Sequence, residues 1–162
     1  MSNIDFKQFK EAQQKSWDSV ALGWQKWWKT IEKGAQNLSN HLVELAKINT
    51  GSKVLDIATG IGEPAITAAK KVRDGSGHVL GTDISPQMLS VARQRAASLG
   101  LQDVIEFKEG DAETISLPDF AFDAVLCIWI DVFARSERRL VKYLQIIGRW
   151  RSYSSCGLGF AR

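Results

Sequence analysis

Residues Val54–Ala65 read VLDIATGIGEPA. An apolar run is followed by Gly60 and Gly62, one residue apart, and then by helix-compatible sequence. That is the outline of a strand, a tight turn and a helix. Without Cβ atoms the two glycines let the backbone turn sharply and let a ligand approach it, and the helix start beyond offers unpaired N–H groups. GIGEPA also fits the G-x-G-x-x-G/A form of a dinucleotide turn. Alone, the stretch leaves open a dinucleotide site, another nucleoside cofactor's site, or a purely structural connection.

Outward from this turn, strands and helices alternate. KVLDIA (53–58) predicts a strand, and a helix follows from Glu63 to about Val72. After the turn Asp74-Gly75-Ser76-Gly77 come a strand at HVLGTD (78–83) and a helix over 85–100. That helix is opened by Ser85 as cap and Pro86 at its first position. Its apolar face carries Met88, Ala92, Ala96 and Leu99. VIEFKEGD (104–111) and FDAVLCIW (122–129) predict two more strands. Such alternation means βαβ units and a parallel sheet. Upstream, Trp17, Val20, Trp24, Trp27 and Ile31 recur at helical spacing and predict a helix over 8–33 with these residues on one face. A second helix is expected over about 37–48, with Leu38, Leu42 and Leu45 on its apolar side. LVKYLQII (140–147) predicts another, and GRWRSYSSCGLGFAR (148–162) contains no strand of convincing length. The expected fold is α/β, a Rossmann-like doubly wound parallel sheet that is incomplete at its C-terminal side. It divides into an N-terminal helical segment (1–50), a nucleotide-binding core (51–133), and a helix with an atypical basic tail (134–162).

The chain has 162 residues, 44% hydrophobic and 24% charged, with a net charge of +3. This suits one water-soluble core and contains no stretch of the length a membrane span needs. The charge is unevenly placed: residues 134–162 hold seven basic residues against Glu137 alone. No recognition motif or aromatic platform accompanies them, so nucleic acid is not an expected partner. Cys127 and Cys156 have neither metal-ligand nor redox spacing. No metal is implied, and a reducing, cytoplasmic setting is expected.

Which nucleoside the turn holds depends on the acids around it. Asp83 closes the second strand 23 residues after Gly60, where a carboxylate can accept both hydroxyls of a ribose. Asp56 and Glu63 flank the glycines, which disfavours a pyrophosphate and suits a ligand with a positive centre. Asp111 and Ala112, after the third strand, can accept from an adenine amine and donate to a ring nitrogen. Adenine, ribose and a cationic tail describe S-adenosylmethionine.

Asp56-x-Ala58-x-Gly60-x-Gly62, then Asp83, then Asp111-Ala112, resembles the class I S-adenosylmethionine-dependent methyltransferases. WDSVALGWQKWW (17–28) is similar to the N-terminal lid of the ubiquinone/menaquinone-biosynthesis C-methyltransferase group. The resemblance implies that Asp56, Gly60 and Gly62 hold the methionine part, with Ala58 in place of the family's first loop glycine. It implies that Asp83 holds the ribose and Asp111 with Ala112 the adenine. Ile84 and Met88 would pack on the adenosine, and Cys127 would lie beside the methyl-donor sulfur. Trp129, Asp131 and Phe133 would border the acceptor, a small and apolar or quinol- or phenol-like molecule. The family's last three strands have no counterpart, so the chain reads as a shortened enzyme whose exposed sheet edge invites self-association. No catalytic base is assignable, since His41 and His78 are the only histidines. An NAD-dependent oxidoreductase and a catalytically silent binding domain stay as alternatives.

Overall fold

The computed structural model describes residues 6–119, 121–128 and 153–155. A single long helix, α1 (Phe6–Leu45), precedes β1 (Lys53–Ile57), α2 (Ala65–Val72), β2 (His78–Asp83), α3 (Pro86–Ser98), β3 (Ile105–Glu109), β4 (Ala124–Cys127) and β5 (Tyr153–Ser155). The strands form one sheet in the order β3-β2-β1-β4-β5, with every neighbouring pair parallel. The chain builds outward from β1 to β3 and then returns to β4 on the other side of β1. That reversal places a crevice at the carboxyl ends of β1 and β4, where open α/β sheets take their ligands.

Strand alternation decides what each face of the sheet buries. Val54, Val79 and Leu126 point toward α2 and α3, packing with Ala65, Ile66, Leu89 and Ala92. Leu55, Ile57, Val125 and Cys127 form the opposite layer, with Leu80, Leu117 and Phe122 against it. α3 starts as its sequence demands: the Ser85 hydroxyl accepts from the Met88 N–H at 3.1 Å, and Pro86 occupies the first turn.

Four expectations need correction. The two N-terminal helices are one, 40 residues long. The expected gap at 34–36 contains Gly34, but one glycine costs a helix only about 1 kcal/mol. A Gln36–Asn40 side-chain bond of 3.0 Å bridges the next turn, and Leu42 and Val43 are buried in the core beyond it. The apolar face of α1 is also narrower than its periodicity suggested. Trp17, Trp24 and Trp28 pack inward with Ala21, whereas Trp27 is 58% exposed, and Val20 and Leu45 are exposed as well. On α3, Leu99 is exposed and Arg95 takes a place in the buried face. The three-residue β5, whose partners are Val125–Cys127 of β4, lies in the stretch 148–162, where no strand was expected because no apolar alternation marks one. The helix expected over 140–147, and Trp129, Asp131 and Phe133, lie outside the described residues.

Candidate functional site

The crevice opens into a cavity of about 240 Å³ walled on one side by the β1–α2 turn and on the other by α1. The turn is tied down at several points. The Thr59 N–H donates to the Thr82 carbonyl at 2.9 Å, and the Gly62 N–H to the Thr59 carbonyl at 2.8 Å. Ala58 and Gly60 both sit in the left-handed region, at φ 57° and 55°, and both line the cavity. Gly62 has φ 105°, and a Cβ there would lie 2.8 Å from Cδ1 of Ile66. Its close approach is therefore to α2 rather than to the cavity, which it does not line.

Asp83 stands at the carboxyl end of β2, buried yet facing the cavity. One carboxylate oxygen accepts from the Gly60 N–H at 2.8 Å and the other from the Ser85 N–H at 2.9 Å. These bonds fix its direction and leave a lone pair on each oxygen for a ligand. Burial pushes its pKa up, and the same backbone donors oppose that shift. Ile84, Met88, Asp111 and Ala112 line the same cavity, so the residues expected around a nucleoside are together. Asp111 also accepts from the Glu113 N–H at 2.8 Å and pairs with Lys10 of α1 at 2.5 Å.

Asp56 and Cys127 are placed differently from expectation. Asp56 is wholly buried beneath the turn, accepting from the Thr59 hydroxyl at 2.6 Å and the Ala65 N–H at 3.1 Å. It lines no part of the cavity and serves to hold the turn to the start of α2. Burial raises its pKa to about 8, so at neutral pH it is largely uncharged. The charge that disfavours a pyrophosphate falls instead to Glu63, which does line the cavity. Cys127 is buried in the opposite layer of the sheet, while the cavity reaches its neighbour Ile128.

Trp17, Trp24 and Trp28, within the lid-like stretch 17–28, supply an apolar wall from α1, and the residues that local pattern did not single out for the cavity are Ile31, Leu38, Glu32 and Ser39 beside them. Arg95 reaches in from α3, 4% exposed, with its guanidinium 4.5 Å above the Trp28 ring. The signal for Arg95 was present: it follows Met88 and Ala92 at helical spacing on the buried face of α3.

The sequence pattern of a family described as methyltransferase domain matches residues 54–150. A demethylmenaquinone methyltransferase of Thermus thermophilus is 36% identical over 106 residues, covering 65% of this chain and 46% of that protein. A ubiquinone/menaquinone biosynthesis C-methyltransferase of Pseudomonas fluorescens is 42% identical over 83 residues, covering 51% and 32%. The chain thus spans less than half the length of these relatives. Among solved structures, a putative S-adenosyl-L-methionine-dependent methyltransferase of Methanococcus maripaludis shares the fold at TM-score 0.67 and 20% identity, over 80% of this chain and 58% of that one. A structure described as the [4+2]-cyclase SpnF aligns at TM-score 0.63 and 26% identity, over 71% and 42%. One fold carries more than one chemistry here.

Proposed function

Because the chain belongs to the methyltransferase-domain family, we propose that its cavity binds S-adenosylmethionine and serves methyl transfer to a small, apolar or quinol- or phenol-like molecule. The observation that carries this reading is Asp83, aimed into the cavity by the Gly60 and Ser85 N–H groups, with Ile84, Met88, Asp111 and Ala112 around it. The fit to the donor has a further support: a Cβ built at Gly60 meets nothing within 4 Å, so the turn faces open space. Asp83 receives the ribose hydroxyls, Asp111 with the Ala112 N–H the adenine edge, and Ile84 with Met88 the adenosine faces. The backbone of Ala58 and Gly60 borders the methionine part.

Bound there, the donor supplies a methyl group already activated on sulfur. The chain's residues bind and orient it, and the tryptophans of α1 act as a lid that excludes water. The apolar wall of Trp24, Trp28, Ile31 and Leu38 supports an apolar acceptor, as do the names of the two bacterial relatives. His41 is exposed and His78 begins β2 at the end away from Asp83, so neither serves as a base. This activity belongs in the cytoplasm, in keeping with two cysteines that have neither metal-ligand nor redox spacing.

Calorimetric titration with S-adenosylmethionine and with NAD tests the cofactor. Binding of the first alone is expected, and Asp83→Ala should weaken it by roughly a hundredfold, the scale of two charge-assisted hydrogen bonds. Binding of NAD alone would remove the reading. Transfer of labelled methyl to quinol and phenol acceptors tests the activity, and binding without transfer would leave a silent domain. Self-association through the β5 side of the sheet is part of the same proposal. Sedimentation at micromolar protein should show a dimer or larger species, and a clean monomer would count against it.

A further inference from the structure

Arg95 gathers three parts of the cavity wall. Its Nη1 donates to the Ile61 carbonyl of the turn at 2.7 Å, and its ring partner Trp28 belongs to α1. Its Nη2 lies 3.4 Å from an oxygen of Glu32, on α1, and 3.4 Å from an oxygen of Glu63, after the turn. Charge-assisted pairs close to about 2.7–2.9 Å, so the guanidinium is shared loosely and satisfies neither acid. Two carboxylates share one guanidinium, with the exposed and solvent-screened Lys70 as a further cation beside Glu63, so Glu32 on α1 is the less neutralised of the two. Glu63 is steadied from its far side by the Thr67 hydroxyl at 2.7 Å. Ser39 gives a second and independent sign. It is 1% exposed, lines the same cavity seven residues along α1 from Glu32, and its hydroxyl has no hydrogen-bond partner among the described residues. A buried polar group in that condition calls for a partner, whether a water, an ion or a ligand.

We propose that Glu32 and Glu63, spread around Arg95, form a cation-accepting subsite divided between α1 and the glycine turn. It receives the positive centre of the bound ligand, and Ser39 completes its polar lining. This rests on the methyl-donor reading and extends it: Glu32 makes α1 a specificity element, favouring the cationic sulfonium donor over the uncharged thioether that remains once the methyl group has left with the positive charge. The cavity then discriminates donor from spent product by charge. A purely structural clamp of Arg95 predicts something else. In that case Glu32 would add stability to the ligand-free fold and affect all ligands alike.

The test is calorimetry on the whole chain with S-adenosylmethionine, S-adenosylhomocysteine and sinefungin, whose amino-bearing carbon replaces the sulfonium with another cation. Wild type should bind the two cationic ligands more tightly than S-adenosylhomocysteine. Glu32→Gln should weaken those two by about tenfold, the scale of one partly screened charge pair, and S-adenosylhomocysteine by less than about twofold. Glu63→Gln should act in the same direction. The ligand-free melting temperature of Glu32→Gln should hold or rise, because a neutral Arg95–Glu63 pair remains. Equal losses for all three ligands, no loss, or a lower melting temperature with an unchanged preference would each overturn the subsite. Wild type binding all three without charge preference would overturn this inference alone. Binding none would remove the methyl-donor reading and the subsite with it.

Discussion

Asp56 shows how a residue can sit in a ligand motif and serve the fold. Both its hydrogen bonds tie the strand end to the turn and to α2, and burial holds its pKa at about 8. The unfolded chain releases this proton near pH 4. Between there and pH 8 the native state therefore binds more protons than the unfolded one, and stability falls as pH rises. Glu63 and Asp83, also raised by burial, add to that slope. Melting temperature should decline from pH 5 to pH 8, and Asp56→Asn should flatten the decline. A melting temperature that rises across this window would exclude a protonated Asp56. Two residues on, Ala58 holds a left-handed φ of 57° that costs a residue with a Cβ about 1 kcal/mol. Ala58→Gly should recover part of that and raise the melting temperature by roughly 2 °C, measured by calorimetry.

The strands and the two sheet helices were legible because each carries its own punctuation: Gly60 and Gly62, the Asp74–Gly77 turn, and Ser85-Pro86. α1 was legible as a helix but not as one helix, because its continuity is decided by packing. Residues 42–43 are held by the core whatever Gly34 prefers. Gly34 is therefore an unused gain: a Cβ there meets nothing within 4 Å and its φ is helical. Gly34→Ala should stabilise by about 1 kcal/mol. Gly62→Ala, with its positive φ and the contact to Ile66, should destabilise by about 1–2 kcal/mol. Urea unfolding of the two variants checks both signs. Glu32, Ser39 and Arg95 were not legible as a site, because their meeting depends on how α1 crosses α3, which no local pattern encodes.

Across the whole molecule, the cofactor half of the cavity comes from the sheet's switch point and the other half from α1. Gly60, Asp83, Asp111 and Ala112 could be placed from spacing, and Ala58, Ile84 and Met88 from the family resemblance, because the parallel order β3-β2-β1-β4 brings successive strand ends to one edge. Residues 129–152 hold the expected acceptor-bordering positions and lie outside the described structure, so the acceptor side rests here on α1 alone.

α1 is roughly 60 Å long at 1.5 Å per residue, and its two ends are fastened by different chemistry. The C-terminal end is buried through Leu42 and Val43. From Trp17 to Trp28 the helix packs through its tryptophans and Ala21 on Ile61, Met88 and Val91, whereas the turns before Trp17 are fastened by polar contacts of Lys10 to Asp111 and Glu113. Salt loosens the ionic fastening at Lys10 and leaves the apolar one intact. The first turns of α1 thus carry an electrostatic latch on a helix that apolar packing holds along the rest of its length. Entry of S-adenosylhomocysteine, which carries no net charge to be steered, should accelerate between 20 and about 300 mM salt, as read by stopped-flow tryptophan fluorescence. Lys10→Gln should start fast and lose that dependence.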